Sequence, residues 1–180
     1  MTSPLKRRVV FTIIVVVALL WVADEYPAIR FRGDARFSGG PIWGYTIRMR
    51  PIPIDKTGEY VFHLRGLPNE EMTLQLYAEG KSNSDREELT HLGITISTIL
   101  LDHNGGIVCQ ATGMPGDGQN EHIWVVMTGG NAAFWHWHCR DMPLRSSESY
   151  TLTLWISGAT PGTPHMYLDP TLEGGQPDLP

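Results

Sequence analysis

Two histidines spaced by two hold the clearest potential for chemistry in this chain. His136 and His138 lie in the run Phe134-Trp135-His136-Trp137-His138-Cys139. On an extended strand they share a face, roughly 7 Å apart along the chain. Strand His-x-His pairs bind zinc, copper or iron when further ligands join them. His165 is the third candidate ligand, with His122, His103 and Asp141 as other donors. The competing reading is two solvated histidines on the wetter face of an aromatic strand.

The chain has two cysteines, Cys109 and Cys139. In their own segments both fall on the more apolar face: Cys109 with Ile107 and Ala111, Cys139 with Trp135 and Trp137. Inward-facing cysteines on different strands could form a disulfide across a sandwich core. Two separate buried thiols are the alternative, since free cysteine is commonly buried. Trp135, Trp137 and Trp155 are candidates for a stacking platform that would take a sugar or a peptide, provided they face solvent. Gly130, five residues, then His136-Trp137-His138 partly resembles the first motif of the cupin family. Met142 and Pro143 stand where that motif requires a glutamate, so no membership follows.

Other catalytic patterns are absent. There is no Gly-x-Ser-x-Gly elbow, no phosphate-binding glycine loop and no His-Glu-x-x-His. Cys139 beside His138 makes no nucleophile pair, because neighbouring strand residues point to opposite faces. Arg32-Gly33-Asp34 matches a tripeptide that adhesion receptors read, but three residues recur by chance. With a formal net charge of −5 and no basic stripe, the chain does not read as a nucleic-acid binder.

The elements that must position these residues begin with an export-type segment. Lys6-Arg7-Arg8 precedes an apolar run, Val9 to Ala23, and then Asp24-Glu25. A basic start before an apolar core is an export signal. Trp21 stands where a cleavage site wants a small residue. The reading is therefore a signal-anchor or transmembrane helix over 9–23, with a cleaved signal peptide and secretion as the alternative. Residues 1–8 are then a short cytoplasmic N-terminus. The bulk lies outside the cytoplasm, in a periplasm or at a cell surface, with the membrane as its first partner and an envelope protein or glycan as its second. Residues 24–44, with scattered arginines and glycines, read as a linker that is solvated or faces lipid headgroups.

From Tyr45 onward the pattern is β. Tyr60, Phe62 and Leu64 alternate with polar residues, as do Met72, Leu74 and Leu76, and Tyr150, Leu152, Leu154 and Ile156. Asn104-Gly105 and Gly129-Gly130 mark two hairpins. Gly80 to His91 reads as a polar surface loop. Pro51 and Pro53 end the first strand or hold it at a sheet edge. His165 to Leu168 is a short last strand, and residues 170–180 are a disordered tail. The expectation is all-β: an antiparallel β-sandwich, immunoglobulin-like or jelly-roll-like, over 45–169. Its expected role is non-enzymatic binding, accessory or assembly work at a cell envelope, without a cofactor. A zinc or copper protein using the histidine pair, and a glycan-binding module using tryptophans, are the alternatives.

Overall fold

The segment Ser149–Ser157 shows why this sequence builds a sandwich. Tyr150, Leu152, Leu154 and Ile156 are buried, while Ser149, Trp155 and Ser157 are exposed. A strand that alternates around one dry face needs a second layer to cover that face. The computed structural model describes residues 9–18, 30–40, 44–79, 93–113, 123–126, 132–136, 139, 141–161, 163 and 166–175.

In chain order the strands are β1 (Arg32–Gly33), β2 (Ala35–Gly40), β3 (Gly44–Met49), β4 (Ile52–Pro53), β5 (Gly58–Arg65), β6 (Glu71–Glu79), β7 (Thr95–Leu101), β8 (Ile107–Gly113), β9 (Ile123–Val126), β10 (Ala132–His136), β11 (Met142–Pro143), β12 (Ser149–Ser157) and β13 (Tyr167–Gly174). One sheet runs β1-β5-β12-β7-β8. The other runs β2-β3-β13-β6-β10-β9, with β4 against β13 and β11 against β6. The pairings are antiparallel. Phe62, Leu152 and Leu154 from the first sheet meet Ile47, Leu74 and Leu172 from the second in one shared core. Two antiparallel sheets packed face to face make the β-sandwich that the alternation predicts.

The hairpin between β7 and β8 follows its turn chemistry. The Asp102 carboxylate accepts from the Asn104 and Gly106 N–H groups at 2.8 and 2.7 Å, and Gly105 takes φ 79°. Between β9 and β10, Val126 pairs with Ala133, and Gly129-Gly130 lies outside the described residues. The polar segment Gly80 to His91 lies outside the described residues.

Two expectations need correction. The linker expected over 24–44 contains β1 and β2, so strand structure begins at Arg32. Gly33 is the reason: a Cβ there would fall on the His63 carbonyl, so only glycine lets β1 lie this close to β5. The tail expected over 170–180 begins instead as the second half of β13, with Pro170, Thr171 and Leu172 buried, while residues 176–180 lie outside the described residues. The helix expected over 9–23 is described over 9–18, with exposed side chains such as Phe11 and Ile14, and residues 19–23 lie outside the described residues. Among the described residues, no helix is long and apolar enough to cross a membrane.

Candidate functional site

The cysteines mark one flank of the sandwich. Cys109 lies on β8 opposite Leu100, facing the core. Beyond the end of β10 the Cys139 carbonyl accepts from the Leu74 N–H at 3.1 Å, which hangs this segment on β6. The two cysteines form a disulfide, with Cα atoms 5.7 Å apart. The bond joins the edge strand of the five-stranded sheet to the interior of the other sheet.

Around it the histidine pair is only partly placed. His136 ends β10, opposite Gln75 and Ile123, and Trp135 stands opposite Leu76 and Trp124. Trp137, His138, His165 and His122 lie outside the described residues. Of the strand expected to run through Cys139, Ala132–His136 is described as strand, and Cys139 itself is not in one. His103 sits in the β7–β8 turn, and Asp141, at φ 53°, precedes β11. Among the described residues, no group of three or more His, Cys, Asp or Glu is placed to hold a metal.

Trp155 is the described member of the tryptophan set whose side chain is placed, and it is 38% exposed on the outer face of the five-stranded sheet. The register puts Glu59 directly beside it on β5 and Ser97 on β7, with Thr112 next on β8. The Thr112 hydroxyl donates to the Ser97 hydroxyl at 3.1 Å. The adjacent row is Val61, Thr153, Ile99 and Gln110. An indole flanked by hydroxyls, an amide and a carboxylate can stack on an apolar ring face and hydrogen-bond its substituents. Glu59, Ser97 and Thr112 carry no local signal in the sequence. Only the strand register brings them to Trp155.

Two tyrosines have perturbed hydroxyls. Burial raises the Tyr150 pKa. Its hydroxyl accepts from the Arg145 N–H at 2.8 Å and donates to Glu148 at 3.1 Å, pinning the loop before β12. Tyr60 is raised by burial first and by the Asp55 carboxylate second, with Arg50 opposing.

No family model matches this chain. No curated protein matches it either. Among solved structures it is similar to the insecticidal delta-endotoxin Cry8Ea1 of Bacillus thuringiensis, with a TM-score of 0.38 and 13% identity. The match covers 69% of this chain and 19% of the toxin. A likeness at that level carries no functional argument.

Proposed function

We propose that this chain is a membrane-tethered, extracytoplasmic β-sandwich domain with a non-enzymatic binding, accessory or assembly role at a cell envelope. The observation that carries the proposal is the Cys109–Cys139 disulfide between the sheets. Such bonds persist in oxidising compartments. The basic-then-apolar start, Lys6-Arg7-Arg8 followed by Val9 to Ala23, gives the route there and the tether. Within the sandwich, the orders β3-β13-β6-β10 and β5-β12-β7-β8 support a jelly-roll over an immunoglobulin-like arrangement. Outside the β7–β8 and β9–β10 hairpins and the short β10–β11 link, each connection from β3 onward that joins main strands crosses to the other sheet, as two interleaved Greek keys require. The test is a set of C-terminal reporter fusions, one active only inside the cytoplasm and one only outside. Activity of the outside reporter, with protein that resists thiol alkylation until reduced, is the expected result. Cytoplasmic activity with two freely alkylated thiols would overturn the proposal.

A second reading, glycan binding, draws on the exposure of Trp155 beside Glu59 and Ser97. Tryptophan fluorescence on titration with cell-wall glycans tests it. A saturable change in the wild type that Trp155→Ala abolishes supports the reading, and no change in the wild type removes it.

A further inference from the structure

Six of the chain's eleven arginines lie on or beside the strands at one edge of the sandwich, Arg32 and Arg65 on the outer face of one sheet and Arg36 and Arg48 on that of the other. β1 is the edge of the five-stranded sheet and β2 the edge of the eight-stranded one. Only Asp34 separates them in sequence, so the two edges lie on the same side. Arg32 stands directly opposite Arg65 across β1 and β5. Arg36 stands directly opposite Arg48 across β2 and β3. Arg30 precedes β1, and Arg50 follows β3 with its guanidinium 5.7 Å from the Phe62 ring. All six are exposed.

Two like-charged pairs in direct cross-strand register are unfavourable for the sheet by itself. The side chains of Arg36, Arg48 and Arg65 make no ion pair or hydrogen bond among the described residues. Asp34, the carboxylate within this edge, is engaged with the backbone. It accepts from the His63 N–H at 2.9 Å, while its own N–H donates to the His63 carbonyl. Glu173 is in the row beside Arg48, on β13. The edge is also built to be stiff. Gly33 lies against His63, and a Cβ at Gly66 would fall on the Arg30 carbonyl. The backbone that carries Arg30, Arg32 and Arg65 is thus fixed before any partner arrives.

We infer that this edge docks on the anionic headgroups of the membrane that holds the N-terminal helix. The inference rests on the tethered reading above. The same chain segment that would leave the membrane enters the domain at Arg30 and β1. Six residues, 24–29, separate the end of the expected anchor at Ala23 from Arg30, a reach of at most roughly 20 Å. The first strands the tether delivers are the ones carrying the arginines. Basic clusters next to a membrane segment gain from anionic lipid, and that gain falls away within a Debye length.

The test uses the full chain in nanodiscs of zwitterionic lipid, with or without anionic lipid. Incorporation is scored first by gel filtration. Modification of each arginine by phenylglyoxal is then followed by peptide mass spectrometry. Arg145, 73% exposed at its side chain and paired with Glu148 at 3.9 Å, is the internal control for an arginine that already has a carboxylate partner. Arg36, Arg48 and Arg65 should react about fivefold more slowly on anionic discs, the factor expected per arginine near such a surface. High salt should restore their rates, and Arg145 should not change. Arg36→Glu with Arg48→Glu keeps a like-charged pair in the sheet and should abolish the protection of Arg65. A chain that stays out of the discs overturns the tether and this inference with it. Incorporation without selective protection overturns the docking alone. Equal protection by inorganic phosphate on zwitterionic discs, or by a soluble polyanion in place of lipid, would also overturn it.

Discussion

Breaking the Cys109–Cys139 bond tests both the fold and the compartment. The bond closes a loop with a sequence separation of 30. The chain-entropy model assigns about 3.6 kcal/mol at 25 °C to a loop of that length. A domain of this size unfolds with an entropy of roughly 0.3 kcal/mol per degree, so the melting temperature should fall by about 10 °C. Two species separate the bond from its atoms. Reduced wild type keeps both buried sulfurs and loses only the cross-link. Cys109→Ala with Cys139→Ala also opens small cavities, since both residues are buried at 7% and 6% exposure. The double variant should therefore melt a few degrees below the reduced wild type. Differential scanning calorimetry with and without reductant reads both. The near-ultraviolet circular dichroism at 25 °C should be unchanged, because the entropic effect acts on the unfolded chain. A reduced wild type that melts within about 3 °C of the oxidised protein would refute the reasoning, as the entropic term alone predicts several times that shift.

Four further outcomes follow. Gly33→Ala should cost about 2 kcal/mol or more in urea denaturation, since the new Cβ meets the His63 carbonyl at φ +148°, whereas Gly40→Ala, with open space around it, should stay within about 0.5 kcal/mol. Tyr150→Phe should cost roughly 1–2 kcal/mol, because it leaves the Arg145 N–H without its acceptor. The raised pKa values of Tyr150 and Tyr60 mean that the native state holds these protons more tightly than the unfolded chain. Their contribution is complete below the unfolded value of about 10 and is lost as pH rises through the native values. Melting temperature should therefore drop in alkaline buffer, and less steeply in Tyr150→Phe. Elemental mass spectrometry after incubation with zinc or copper and desalting should find no stoichiometric metal; retention that disappears in His136→Ala/His138→Ala would put the histidine pair first.

How far the fold can be read in advance depends on where each strand keeps its information. β12 has its in local alternation, and β7–β8 in Asp102-His103-Asn104-Gly105-Gly106, so both are legible. β1 and β2 are not. Ala35-Arg36-Phe37-Ser38 does alternate, but the glycines around it look like linker until the partner is known. Gly33 serves the approach to His63, and a Cβ at Gly39 would strike the Gly44 carbonyl. Both needs are non-local and leave no periodic trace. The site behaves the same way. Trp155 stands out as a residue type, while Glu59 and Ser97 reach it only through register across three strands.

β13 shows how a correct local rule can mislead. A proline has no N–H for a ladder, so Pro170 argues for an end to the strand. Yet Pro170 lies in an interior strand, opposite Leu76 on β6. Its other flank is what makes this possible. There β13 pairs with β4 as far as Leu168, opposite Ile52, and with β3 only from Thr171, opposite Arg48. Between those two pairings the neighbouring chain breaks at Arg50-Pro51, so no register partner is assigned to Pro170 on that side. Pro51 interrupts one strand at the point where Pro170 needs an interruption in its neighbour. Each proline alone reads as a strand terminator. Together they mark a shared gap in a continuous sheet, and the chain passes through it on both sides.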